Sequence, residues 1–304
     1  MHATNSGRLA SLIPSSAAER AWSYASVPGC QVIAASLLRK TFLFCVMSRK
    51  RKAGAAVPPE QAAWCALAEA VRATGGSLDG VEPRSAGAAG CGLFATRDLA
   101  VGDVVACVPP DAVISAQSAC SSSLGRLVAA HFRVREDADD THDCSVNQRS
   151  VLYLYLIAAR AGLIQVAAAH AAYARALPVA FNLPVTWPEG LLDAELGGTE
   201  LARSASFMRA ELRERYDRLA RLFLKEKKLF PRKVFSWEAF LWAHAAYSSR
   251  TFPASCLSGT GAHGDAEDEA ADGVLIPLLD VANHAADDAD MCVLRDFLSF
   301  ASER

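Results

Sequence analysis

Ile276-Pro277-Leu278-Leu279-Asp280-Val281-Ala282-Asn283-His284 is an apolar run that breaks into three polar side chains. The run predicts a buried returning strand over 274–279, and Pro277, with no N–H to give a neighbour, marks an edge or a bend in it. Asp280, Asn283 and His284 follow at once, so they leave a buried strand at positions where polar groups need partners. Such side chains can meet the amino, carboxylate or hydroxyl groups of a ligand, since asparagine and histidine both donate and accept while a carboxylate accepts. They also suit a capped turn with a satisfied histidine, and taken alone the stretch leaves both readings open.

Upstream, an acidic segment with Gly and Ser over 255–273 reads as a surface loop. Before it, Trp237, Phe240, Leu241 and Trp242 predict a helix that runs out into Ser249-Arg250-Thr251-Phe252. Arg250 is permanently charged, and its planar fork matches a carboxylate, whether of a ligand or of an ordinary surface ion pair. Two more helices are expected, one near 147–162 carrying Tyr153, Leu154, Leu156 and Ile157, and a charged one over 204–228. Gly90-Cys91-Gly92-Leu93-Phe94-Ala95 turns into a strand, residues 103–108 form a second that Pro109-Pro110 stops, and a tight turn over 100–103 lies between them. Pro59-Glu60 opens a helix with Trp64, Leu67, Ala68 and Val71 on one face. Short strands on either side of a helical stretch indicate an α+β architecture rather than a doubly wound sheet. Gly90-x-Gly92 lacks a third glycine and leads into a strand, so no helix N-terminus awaits a phosphate and the dinucleotide reading fails. Those glycines still allow a sharp turn with positive φ.

The chain has 304 residues, 52% of them apolar, which supplies ample material for a core. A net charge of -2 gives no general attraction to phosphate backbones, and no nucleic-acid partner is expected. No run reaches the roughly 18 apolar residues of a membrane-spanning helix, so a soluble protein with no membrane partner is expected. Nine cysteines are scattered without a Cys-x-x-Cys pair, which argues against a zinc cluster or a disulfide scaffold and for a reducing, intracellular compartment. Residues 1–57 carry eight Lys or Arg against one acid, Glu19, among many Ser and Ala. They read as a disordered tail or an organellar transit peptide; a start at Met47, followed by the basic run Arg49-Lys50-Arg51-Lys52, is a third reading. Cytoplasm, nucleus and an organelle such as the chloroplast all stay open.

Taken in order, several motifs carry a family resemblance: Gly90-Cys91-Gly92-Leu93-Phe94-Ala95-Thr96-Arg97-Asp98 with Gly102-Asp103-Val104-Val105, then Tyr173-x-x-x-Leu177-Pro178, Trp187 and Leu196-x-Gly198-Thr199-x-Leu201. They continue with Leu229-Phe230-Pro231, Trp242-Ala243, Ser249-Arg250-Thr251-Phe252 and Pro277-Leu278-Leu279-Asp280-x-x-Asn283-His284. This set, over about residues 60–296, resembles the SET-domain protein methyltransferases of the RuBisCO large-subunit methyltransferase class, which also includes actin-histidine methyltransferases. The resemblance implies a SET-type fold of short strands with a helical insertion over about 120–250, S-adenosylmethionine as cofactor and a protein as substrate. It implies a cofactor site made of Gly92, Gln117, Ser118, Ala119, Arg250, Asp280, Asn283 and His284, with the glycine turn letting the backbone approach the ligand. Family members usually carry an acid where Gln117 stands. The implied chemistry is in-line transfer of a methyl group to a substrate nitrogen, in which the protein aligns the reactants and removes water. Lysine is the expected acceptor; with an ordinary pKa of about 10.4 it must first lose a proton, which a narrow apolar channel favours.

The resemblance also implies a tyrosine on a closing strand beyond the Asn-His pair, and a helical C-terminal domain. Only 20 residues follow His284, and 291–304 hold no tyrosine. No catalytic residue is therefore assigned. An incomplete SET domain is expected over 58–296, with a tail unlike the family over 297–304, and a catalytically inactive cofactor- or protein-binding module is the alternative function.

Overall fold

A computed structural model of the chain describes residues 31–35, 59–86, 90–100, 103–135, 145–254, 273–282 and 291–294. Strand β1 (Gln31–Ala35) is followed by helix α1 (Pro59–Ala73), which opens on a proline that has no N–H to leave unpaired. Helix α1 buries Trp64, Leu67, Ala68 and Val71, the stripe expected from their spacing. Behind it, Gly76 lets the chain close on the sheet, since a Cβ there would lie 2.7 Å from the Cys107 carbonyl oxygen and 2.5 Å from Val71 Cγ1.

Four short strands follow: β2 (Ser77–Leu78), β3 (Val81–Ser85), β4 (Cys91–Ala95) and β5 (Asp103–Val108). Strands β3 and β4 form an antiparallel hairpin in register from Val81↔Ala95 to Ser85↔Cys91. Its return passes through Gly90 at φ +79°, the left-handed backbone expected of the glycine turn. The turn before β5 is closed by Asp103 N–H donating to the Ala100 carbonyl at 3.0 Å.

The chain then becomes mostly helical, through α2 (Ala116–Ser121), α3 (Ser123–His131), the paired strands β6 (Arg133–Arg135) and β7 (Ser145–Asn147), and α4 (Gln148–Ala161). Helices α5 (Ala168–Ala176), α6 (Glu189–Leu196), α7 (Glu200–Lys225) and α8 (Trp237–Arg250) complete this part. Helix α7 begins four residues before the expected 204 because the Thr199 hydroxyl caps it, accepting from Ala202 N–H at 3.2 Å. Helix α4 is buried continuously from Ser150 to Ala159, and Tyr153 meets Phe240 of α8 edge-on at 5.3 Å. Leu229-Phe230-Pro231 anchors the loop after α7 by packing Phe230 against Phe223 at 5.2 Å and Phe235 at 4.9 Å.

Strands β8 (Thr251–Phe252), β9 (Val274–Leu275) and β10 (Met291–Leu294) close the described chain. The main sheet has the order β10-β1-β5-β2, with β1 antiparallel to both β5 and β10. Residues 31–35 thus form a strand within the segment read from composition as a tail or transit peptide; the rest of 1–57, the loop 255–272 and the tail 297–304 lie outside the described residues. The returning strand is shorter than the expected 274–279. It ends at Leu275, because Pro277 can give no ladder hydrogen bond and Leu278 turns left-handed at φ +71°. The architecture is α+β, as the alternation of short strands and helices indicated. Among the described residues no helix is long and apolar enough to cross a membrane.

Candidate functional site

Strand pairing brings three distant segments side by side. Thr251 pairs with Leu275 and Phe252 with Val274, which fixes the end of α8 beside β9. On the other side Ile114 exchanges both backbone hydrogen bonds with Leu275, at 3.0 and 2.8 Å, so the chain leading into α2 lies along β9 as well. Past β9, the left-handed Leu278 leads into the 3-10 turn Leu279–Val281. Leu278 is fully buried, and a non-glycine residue in this conformation costs about 1–2 kcal/mol, so packing holds the turn in place.

That turn aims Asp280 at the last residue of α8. Arg250 donates from Nη1 to Asp280 Oδ2 at 2.9 Å and to the Asp280 carbonyl at 3.1 Å. Tyr173 of α5 donates its hydroxyl to the same Oδ2 at 2.8 Å. The Asp280 side chain is 1% exposed and that of Arg250 19%. The guanidinium lies 5.7 Å from the ring centre of Trp64 and 5.8 Å from that of Phe181, and Trp64 meets Tyr173 edge-on at 6.5 Å.

Burial pushes the Asp280 carboxyl above its ordinary range, while the Arg250 charge and the hydrogen bonds from Arg250 and Tyr173 pull it back without cancelling the rise. Burial, and then the neighbouring Asp280 charge, lift the Tyr173 phenol well above its usual value, so it is a hydrogen-bond donor at neutral pH. The contact between guanidinium and carboxylate side chains runs from one nitrogen to one oxygen. Arg250 Nε and Asp280 Oδ1 are buried with no hydrogen-bond partner among the described residues, as is Trp64 Nε1. Buried polar atoms of this kind are costly in a folded protein and point to a ligand or solvent partner.

Of the residues expected at a cofactor site, Arg250 and Asp280 are in direct contact, and the Arg250 pair is buried rather than an ordinary surface one. Gly92 is buried on β4, which packs against the Leu279–Val281 turn. Gln117, Ser118 and Ala119 lie in the first turn of α2. There the Ser118 hydroxyl belongs to a capping box with Ser115, accepting from Ser115 N–H at 3.0 Å, while Ala119 is fully buried and Gln117 is exposed. Asn283 and His284 lie outside the described residues. Sequence reasoning missed Trp64, Phe181 and the part played by Tyr173. The spacing Tyr173-x-x-x-Leu177-Pro178 marked the last of these, but nothing local could say that its hydroxyl meets a residue 107 positions away.

The fold is similar to the SET fold of Rubisco LSMT. The SET domain of LSMT bound to lysine and AdoHcy superposes with a TM-score of 0.57 at 21% identity, over 76% of this chain and 45% of that one. Rubisco LSMT bound to sinefungin and monomethyllysine gives 0.56 at 22% identity, over 76% and 46%, and Rubisco LSMT bound to AdoMet gives 0.55 at 21%. This chain therefore spans less than half the length of these solved structures. No protein-family model matches the chain, and no curated protein sequence matches it.

Proposed function

We propose that this chain is an S-adenosylmethionine-dependent protein N-methyltransferase of the SET type, directed at lysine. The observation that carries the reading is the buried Arg250–Asp280 pair with its two unpartnered atoms, set in a fold whose solved neighbours hold AdoMet or AdoHcy. The methionine end of S-adenosylmethionine is a zwitterion: a cationic N–H such as Arg250 Nε suits its carboxylate, and a carboxylate oxygen such as Asp280 Oδ1 suits its ammonium. Gly92, Gln117, Ser118, Ala119, Asn283 and His284 complete the proposed site, with Gly92 offering backbone free of a Cβ.

When bound, the cofactor supplies a sulfonium methyl group open to in-line attack by an amine. Arg250 and Asp280 orient the ligand, and the rings of Trp64 and Phe181 screen the guanidinium from water, which strengthens its charge contacts. Lysine as acceptor is supported by the lysine and monomethyllysine held by the neighbours.

Calorimetric titration of S-adenosylmethionine into the full chain tests the cofactor. Saturable one-to-one binding is expected, weakened at least about tenfold by Arg250→Ala, the loss of one charged hydrogen-bonding group. Incubation with radiolabelled cofactor and cell extract tests the transfer, with label recovered on lysine. No binding and no label would overturn the proposal, and label on histidine would overturn the acceptor alone.

A further inference from the structure

We propose that Tyr173 is a positioning residue of this site: its hydroxyl fixes the orientation of the Asp280 carboxylate and, through it, that of the Arg250 guanidinium. The inference rests on the methyltransferase reading for what the site binds, but the linkage itself stands on the geometry alone. Tyr173 is fully buried on α5 and donates to Oδ2 at 2.8 Å, the oxygen that also accepts from Arg250 Nη1 at 2.9 Å. Both side-chain donors therefore pull on one oxygen, which turns the other toward the partnerless side of the pair. Asp280 is faced by Arg250 from α8, by Tyr173 from α5 and by the backbone of its own turn; Trp64 of α1 packs on both Tyr173 and Arg250 and brings no charge.

The carboxylate is buried, so protonation is its route of escape from an unfavourable site. Two donors oppose that escape. With Tyr173→Phe only the Arg250 side chain would, and the proton would be taken up at a higher pH than in the parent. A neutral Asp280 holds Arg250 weakly and no longer offers an anionic oxygen. The defect in the variant is thus a titration, whereas a tyrosine that merely filled space would leave a defect that does not vary with pH.

Tyr173→Phe in the full chain decides this through two readouts. In the first, S-adenosylmethionine affinity is followed calorimetrically from pH 6 to pH 9. The variant should bind about tenfold more weakly at pH 6, the scale of one hydrogen bond to a charged group, with the deficit narrowing as pH rises toward 9. The second needs no cofactor. A carboxyl raised in the folded state takes up protons more readily there than in the unfolded chain, so its contribution to stability falls as pH rises from its ordinary value to its folded one. Removing the donor extends that window upward. The urea midpoint of the variant should fall progressively further below the parent's as pH rises, and Asp280→Asn should abolish the difference in slope. A deficit constant across pH in both readouts, or none in either, overturns the proposal. If the parent binds no S-adenosylmethionine, the methyltransferase reading fails while the stability profile still decides the role of Tyr173.

Discussion

Replacing Arg250 by methionine removes the guanidinium from beside a carboxylate that is 1% exposed. The stem volume is kept, and so is much of the packing against Trp64 and Phe181. Asp280 is left with the Tyr173 hydroxyl as its side-chain donor. Stripping one partner from a buried pair costs about 3–5 kcal/mol. Arg250 is 19% exposed, so water can follow it out, and the lower end, about 3 kcal/mol, is expected. Asp280→Asn leaves the cation facing a neutral amide and should cost about 2 kcal/mol. The double variant contains neither charge, so it should cost less than the sum of the singles by about 2 kcal/mol. Urea unfolding at pH 7.5 with an unchanged m-value measures all three. The Arg250→Met deficit should also shrink as pH falls toward 5, because a protonated carboxyl needs no counter-charge. Additive single effects, or singles under about 1 kcal/mol as for solvated surface pairs, would refute the reasoning.

Leu278 is fully buried at φ +71°, so Leu278→Ala should cost about 2–5 kcal/mol in denaturant unfolding. Leu278→Gly should then be more stable than Leu278→Ala by about 1 kcal/mol, the reverse of the usual order, because only glycine enters the left-handed region without strain. His244 accepts or donates at 3.1 Å to the Tyr153 hydroxyl, and burial pushes it down to about 4. Its contribution is present above its ordinary pKa of about 6.5 and is lost as pH falls through its folded value; about 3 kcal/mol should disappear between pH 6.5 and 4, and His244→Gln should flatten that limb of the stability profile. Phe230→Ala empties the centre of the Phe223–Phe230–Phe235 cluster and should cost about 3–5 kcal/mol, read as a lower urea midpoint.

Much of the secondary structure was legible because its signals are local. The apolar stripe of Trp64, Leu67, Ala68 and Val71 depends only on its own spacing; α1 opens at Pro59 as expected, α4 falls within a residue of the expected 147–162, and α8 carries Trp237, Phe240, Leu241 and Trp242. Strand signals proved weaker. The run over 274–279 is apolar throughout, yet only Val274 and Leu275 form a strand, because a ladder needs a facing edge and the proline and left-handed leucine withdraw the rest. Strand β1 shows the converse, since Gln-Val-Ile-Ala-Ala within a basic, Ser- and Ala-rich segment becomes a strand through the edge that β5 presents.

The candidate site divides along the same line. The sequence by itself determined the glycine turn at Gly90, the α+β alternation, and the presence of Arg250 and Asp280 at the ends of a helix and an apolar run. Only the tertiary structure decided that these two meet, that Tyr173 donates to the same oxygen, and that Trp64 and Phe181 flank the guanidinium. The reason is physical: periodicity and turn chemistry are set by neighbours a few residues away, whereas a buried charge finds its partners through strand pairing and helix packing across the whole fold. The stretch from Ile276 to Asp280 reads as a strand end in sequence, and its chemistry comes from what α1, α5 and α8 bring to it.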